Sequence, residues 1–129
     1  MAEPFDVALA DGDVVEMRLI GSLDAVNLEI LKMQVDSAKK LVKSESEKRD
    51  RKMRVLFDLT KFSGTYNVES MIAMKNLEEH NRPYVLKTAV YGGSPAAQIA
   101  AELTLELIGR ENLRLFPNRD EALEWLTAD

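Results

Sequence analysis

Val14-Val15-Glu16-Met17-Arg18-Leu19-Ile20-Gly21-Ser22-Leu23-Asp24-Ala25-Val26-Asn27 is the stretch on which the fold turns. Its first seven residues form an apolar-rich run that reads as a strand, and Gly21 is expected to end it. Ser22 or Asp24 is placed to cap a helix, because either side-chain oxygen can accept from an orphan amide of a first turn. Apolar residues then recur at Val26, Ile30, Leu31, Val35, Ala38, Leu41 and Val42, with Lys32, Asp36, Lys39, Lys40 and Lys43 mostly opposite them. That is the period of an amphipathic helix. From Ser44 to Lys52 no apolar residue occurs, so the helix face is expected to stop there.

Working outward, Phe5 to Leu9 alternates apolar and polar residues, and Asp11-Gly12-Asp13 is a hairpin turn signal. The first two strands are therefore expected to be antiparallel neighbours. Downstream, Met53 to Leu59 is a strand whose core, Val55-Leu56-Phe57, fits burial on both faces. It empties into a hydroxyl- and glycine-containing stretch, Thr60 to Thr65, expected as a turn. Thr65 or Asn67 can cap a helix carrying Val68, Met71, Ile72 and Leu77, which ends before Pro83. Val85 to Tyr91 is a further strand. Gly92-Gly93-Ser94-Pro95 then forms a sharp loop with Ser94 as cap and Pro95 at the first helical position. Ile99, Leu103, Leu107 and Ile108 are expected to line that helix, and Gly109 to end it. Leu113 to Phe116 is a short last strand, and Asn118 with Glu121 fits a capping box for a helix bearing Ala122, Leu123 and Leu126. The order is ββαβαβαβα. It predicts one α/β domain over residues 1–129, with a mixed sheet of four or five strands. An N-terminal antiparallel hairpin is followed by parallel strands, and about four helices pack on the sheet.

Composition narrows the function classes. A chain of 129 residues, 46% hydrophobic and 30% charged, is an ordinary globule able to bury a real core. No apolar run approaches the roughly 18 residues a membrane helix needs. Met1 to Asp6 has neither the basic region nor the apolar core of a signal peptide. Cysteine is absent, which excludes disulfides and thiol chemistry and makes a reducing cytoplasm the simplest setting. The net charge of −5 argues against a nucleic-acid partner, which needs a basic footprint. The one dense basic run, Lys48-Arg49-Asp50-Arg51-Lys52, is interleaved with acid and reads as a solvated loop or helix end.

The stretch from Val14 to Asn27 resembles the opening of STAS domains, the modules of sulfate transporters and anti-sigma-factor antagonists, whose second strand ends in a Gly-x-Leu-Asp-Ala-type turn. Arg54-Val55-Leu56-Phe57-Asp58-Leu59-Thr60 resembles their third strand, with its Asp-Leu-Ser/Thr ending. Leu115-Phe116-Pro117-Asn118-Arg119-Asp120-Glu121-Ala122-Leu123 is similar to their last strand and helix, and Ala122 to Leu126 looks like the ending of the related SpoIIAA-like group. The resemblance implies a STAS/SpoIIAA-like mixed sheet and no catalysis or cofactor. It implies a bacterial protein that works by binding a protein partner, often an anti-sigma kinase. It also implies a phosphorylated serine within an Asp-Ser-Ser-Gly-type motif. The nearest stretch here is Lys61-Phe62-Ser63-Gly64, which lacks the preceding acid.

Two readings compete at each site. Ser63, with Thr60 and Thr65, is expected at a helix start, where a phosphate would gain from orphan amides and the helix dipole. The same residues also supply ordinary turn chemistry. Gly92, Gly93 and Ser94 can cradle an anion or simply make a tight turn; the lysine of a P-loop is missing. Both turns belong at the carboxyl ends of parallel strands, where ligands collect. His80, the only histidine, has no second histidine or cysteine for a metal site, and the helix C-terminus suits it. Asp24 and Asp58 would meet if their strands are adjacent, though capping accounts for Asp24. Met33, Met53, Met71 and Met74 suit a core, a partner groove or a hydrophobic pocket. Trp125 either seals the sheet or marks an interface.

These readings converge on a non-enzymatic, cytoplasmic interaction module. Its contact surface is expected over Asp58, Thr60, Ser63, Gly64, Thr65 and Tyr66 and the exposed side of residues 67–74. Ser63 is the expected phosphoacceptor, the expected partner is an anti-sigma or kinase-type regulator or a second copy, and neither membrane nor nucleic acid is expected to be engaged. The alternative is a carrier or sensor of a small hydrophobic or anionic ligand, held between the methionine-bearing helices and the Gly92 loop.

Overall fold

The computed structural model describes residues 5–10, 13–23, 28–108 and 112–128, without the side chains of residues 100 and 104–108. The expected turn at Asp11-Gly12, the cap at Asp24, the helical start at Val26 and the stop at Gly109 lie outside these residues.

Five strands form one sheet in the order β1 (Phe5–Leu9), β2 (Val14–Leu23), β3 (Met53–Tyr66), β4 (Val85–Tyr91) and β5 (Leu113–Phe116). The first pair is antiparallel, with Phe5 opposite Leu19 and Leu9 opposite Val15, and every later pair is parallel. Four helices connect and cover the strands: α1 (Leu28–Arg49), α2 (Val68–Asn81), α3 (Pro95–Ile108) and α4 (Arg119–Thr127). This is the mixed sheet with four helices that the sequence predicts.

Alternation along β3 divides the core in two. Val55, Phe57 and Leu59 point to the face packed by Leu31, Val35, Ala38 and Val42 of α1, Ala73, Met74 and Leu77 of α2, and Ala97 of α3. Leu56 points the other way, into a smaller cluster with Val14, Ala89, Tyr91 and the α4 residues Ala122 and Leu126. A central strand buried on both faces has to be apolar at consecutive positions, and Val55-Leu56-Phe57 is. The second face is thinly covered by α4. Cations hold that helix at its C-terminus, where unpaired carbonyls carry partial negative charge. Lys87 Nζ donates to Trp125 O at 3.0 Å and Ala128 O at 2.8 Å, and Arg54 Nη1 donates to Leu126 O. Trp125 lies against Phe116 and beneath Lys87, so it seals this edge.

Three elements run differently from the expectation. Helix α1 continues into the charged stretch that lacks apolar residues and ends at Arg49. Its end is fixed by backbone geometry: Asp50 adopts φ 52°, Arg51 N donates to Ser46 O at 3.1 Å, and the buried Ser46 hydroxyl donates to Arg51 O at 2.7 Å. A positive-φ residue followed by a bond reaching five residues back is a Schellman stop. The basic run therefore begins as the last turn of a helix. Strand β2 passes through Gly21 to Leu23, so Ser22 is a strand residue. Strand β3 likewise passes through Thr60–Thr65, the expected turn, to Tyr66.

Candidate functional site

The two strand extensions pair with each other beyond the body of the sheet. The β3–β4 register ends at Asp58 opposite Tyr91, whereas β2 and β3 go on together through Ile20–Lys61, Gly21–Phe62 and Leu23–Tyr66. The pairing is bulged. From Arg18–Asp58 to Ile20–Lys61, β2 advances two residues and β3 three; from Gly21–Phe62 to Leu23–Tyr66, β2 advances two and β3 four. Extra residues bend a strand and re-aim its side chains. Here Leu59 and Phe62 turn inward and are buried, while Thr60, Lys61, Ser63 and Thr65 face solvent.

Each expected site residue has a defined place on this ribbon. Asp58 Oδ1 accepts from the Thr60 amide at 2.8 Å and the Thr60 hydroxyl at 2.7 Å, which secures the first bulge. Ser63 Oγ is 2.9 Å from Thr65 Oγ1, and Thr65 Oγ1 donates to Ser22 Oγ across the strands at 2.8 Å. A threonine hydroxyl has one proton, so Ser63 is the donor in the first contact. The result is a surface chain of hydroxyls, Ser63 to Thr65 to Ser22. Ser63 thus sits on a strand, four residues before the cap of α2, and not at a helix start. That cap is Asn67, whose side chain accepts from Ser70 N at 2.9 Å. The fully buried Ser70 hydroxyl donates to Leu23 O at 2.7 Å and ties α2 to the end of β2.

The second expected loop meets the first. Gly64, Gly92 and Gly93 all have positive φ, and each faces a close neighbour. A Cβ on Gly92 would lie 2.5 Å from Thr60 Cγ2, and one on Gly93 would lie 2.9 Å from Ala97 Cβ. Gly92 O accepts from the Gln98 side chain, and Ser94 Oγ accepts from Ala97 N at 3.2 Å as the cap of α3. The glycines serve a close approach between the β3 extension and the start of α3, and the first turn of α3 is met by protein atoms.

Of the apolar residues expected along α2, Leu77 is wholly buried and Met71 partly so, whereas Val68 and Ile72 are turned outward. Val68 is 72% and Ile72 50% exposed, while Ser70, Ala73 and Met74 are buried. Ile72 lines a groove of about 310 Å³ with Lys32, Val35 and Lys39 of α1. Ile99 and Leu103 of α3 also face outward, and Ala97 is buried. Met53 is fully buried, Met74 is nearly so, and Met33 is exposed. His80 lies in the last turn of α2, its ring 5.7 Å from that of Tyr84. Asp24 lies outside the described residues, so the Asp24–Asp58 pairing has no geometry here.

Sequence reasoning did not single out Tyr91, Arg119 and Glu16, which join Asp58 on the α4 face of the sheet. Arg119 Nη1 donates to Glu16 Oε1 and, at 3.4 Å, to the Tyr91 hydroxyl. Burial pushes the Tyr91 phenol above its usual value; Arg119 opposes that shift and Asp58 adds to it. Glu16 and Tyr91 hold the Arg119 guanidinium firmly protonated. Their spacing in sequence gives no signal, because strand order alone brings them together. Among the described residues, no three His, Cys, Asp or Glu side chains cluster as metal ligands, and no helix is long and apolar enough to cross a membrane.

The sequence model of the SpoIIAA-like family matches residues 14–127. This chain belongs to the SpoIIAA-like family. Solved structures carry the same fold at low identity. An uncharacterised DUF3478-family protein with a SpoIIAA-like fold from Shewanella loihica superposes with a TM-score of 0.62 at 14% identity, over 95% of this chain and 91% of that one. The unphosphorylated anti-sigma factor antagonist SpoIIAA gives 0.58 at 11% identity, over 93% and 94%. The phosphorylated form of the Bacillus cell fate determinant SpoIIAA gives 0.51 at 12% identity, over 94% and 97%. No curated protein sequence matches. At these identities the superpositions show a shared SpoIIAA-like fold.

Proposed function

We propose that this SpoIIAA-like chain is a non-enzymatic regulatory module that acts by binding another protein, an anti-sigma or kinase-type regulator of the bacterial cytoplasm. The observation that carries the reading is the exposed β2–β3 ribbon beside the outward face of α2. The ribbon presents Ser22, Lys61, Ser63 and Thr65, and α2 begins two residues past Tyr66 with Val68 and Ile72 solvent-exposed. Apolar anchors flanked by a polar rim are the anatomy of a protein interface. Ser63 is the phosphoacceptor in this reading. A phosphate there would remove the donor of the hydroxyl chain and place about two negative charges on the rim.

The test is capture of partners from native cell lysate by tagged wild type and Ser63→Asp, read by mass spectrometry. A partner held by wild type and released by Ser63→Asp supports the phosphorylation-controlled reading. Equal retention removes Ser63 from the mechanism and leaves the binding module. Recovery of no partner, with a dimer in light scattering of the purified protein, replaces the foreign partner by a second copy.

A further inference from the structure

Helices α1 and α2 lie side by side on the larger-core face and run the same way, since each leads from the end of one strand back to the start of the next parallel strand. The groove of about 310 Å³ between their outer sides is lined on α1 by Lys32, Val35, Asp36 and Lys39. On α2 the same spacing recurs in Glu69, Ile72, Ala73 and Asn76. Lys32 is therefore level with Glu69, Asp36 with Ala73, and Lys39 with Asn76. Lys39 pairs with Asp36 on its own helix at 3.9 Å, whereas Lys32 and Glu69 carry no ion pair among the described residues. Apolar side chains stand beside these charges. Met33 and Val68, at 69% and 72%, are the most exposed large apolar residues among those described, and Ile72 is half exposed. Exposed apolar side chains gathered on one face mark an interaction surface.

We propose that this face self-associates: a second copy of the chain packs groove to groove, related by a two-fold axis that runs along the groove. Closed two-fold pairs are the commonest form of self-association, and such an interface must complement itself. An axis along the groove sets α1 of one copy on α2 of the other and keeps their levels. Lys32 then meets Glu69 of the second copy, twice per dimer, and Met33 meets its Val68 and Ile72. Four roughly aligned helices pack in this way in bundles. The other axis in the same plane runs across the groove and sets α1 on α1 in reverse. Lys32 would then meet Lys39, and Asp36 its own copy, so like charges oppose and that packing is disfavoured. The face thus carries the complement of its own charges, which is why a second copy fits it. The inference goes beyond the partner reading above. Ile72 belongs to both surfaces, so a partner that grips α2 competes with the second copy, and the dimer is the resting form of the module.

The experiment is sedimentation equilibrium of the purified whole chain over a range of concentrations, for wild type, Lys32→Glu, Glu69→Lys, the double variant, and an equimolar mixture of the two single variants. Wild type is expected to dimerise. Each single reversal sets like charges in contact twice per dimer and is expected to weaken dimerisation by about tenfold or more. The double variant restores it. The mixture forms a heterodimer at least as tight as wild type, since there both contacts pair glutamate with lysine. Both positions are exposed, and melting curves check that each variant is folded. A wild type that stays monomeric overturns the proposal. A dimer indifferent to either reversal overturns this face as its site, and a mixture no tighter than the single variants overturns the packing of α1 on α2. No foreign protein is present, so these outcomes are independent of the lysate capture. Absence of a dimer leaves the partner-binding module standing, and absence of a captured partner leaves the dimer standing.

Discussion

Gly64 and Ala97 touch backbone to backbone: a Cβ on Gly64 would lie 2.6 Å from the Ala97 nitrogen. The β3 extension can lie on the first turn of α3 only because that position has no side chain. Gly64 also has φ +94°, where an L-residue is strained. Gly64→Ala therefore carries both a steric and a conformational penalty, and we expect a loss of roughly 2–4 kcal/mol in urea denaturation. Gly21 is the internal control. Its φ is +72°, but a Cβ there would meet nothing within 4 Å. Gly21→Ala is expected to cost only about 1–2 kcal/mol. Equal losses in the two variants would mean that the packing of the ribbon on α3 contributes nothing.

The position of Ser70 yields a second expectation. Its hydroxyl is wholly buried and donates to Leu23 O, the last residue of the β2 extension. Ser70→Ala leaves that buried carbonyl short of a donor without opening a large space. The expected cost is about 1–2 kcal/mol. Hydrogen exchange localises it: amides of the β2–β3 ribbon should lose protection more than those of β4. A uniform loss across the sheet would refute a local tie.

The sheet was legible because its signals are strong: the hairpin pattern, the alternating order, and the doubly buried Val55-Leu56-Phe57. The β3 extension was not, for a physical reason. Its bulges put inward residues at Leu59, Phe62 and Tyr66, spaced three and four apart, so the two-residue period of a strand is lost. What remains visible is hydroxyls and glycine, which read as a turn. The faces of α2 and α3 misled in another way. Close packing at the start of each helix selects small residues, Ser70 and Ala73 on α2 ahead of the buried Met74 and Leu77, and Ala97 on α3, and leaves Val68, Ile72, Ile99 and Leu103 outside. A rule that sends large apolar residues inward cannot see that choice. The capping roles of Asn67, Ser94 and Asn118 were readable, since each depends on local sequence alone.

Tyr91 predicts an alkaline signature. Its phenol is held above the ordinary value by burial, against the opposing pull of Arg119. A group that keeps its proton longer in the folded state leaves stability unaffected while both states are protonated. As pH rises past about 10 the unfolded chain releases the proton first, and stability falls until the folded phenol also ionises. Tyr91→Phe removes that decline. Chemical denaturation from pH 8 to about 11 should show wild type losing more stability than the variant. Parallel curves would mean that the phenol titrates alike in both states.

The outward face of α2 separates binding from folding. Ile72 is half exposed, so Ile72→Glu is expected to change stability by less than about 0.5 kcal/mol. Ser63→Asp, on the exposed rim, should be equally mild. Both variants are expected to lose the captured partner, because one deletes an apolar anchor and the other adds charge to the rim. Met74→Glu makes the opposite case: Met74 is 8% exposed, and burying an unpaired carboxylate there should destabilise the fold outright. Affinity measured by titration calorimetry on the captured partner, alongside melting curves for each variant, decides the matter. Loss of affinity in Ile72→Glu at unchanged stability fixes the contact on α2. Full affinity in that variant would move the interface to the ribbon or to another face of the molecule.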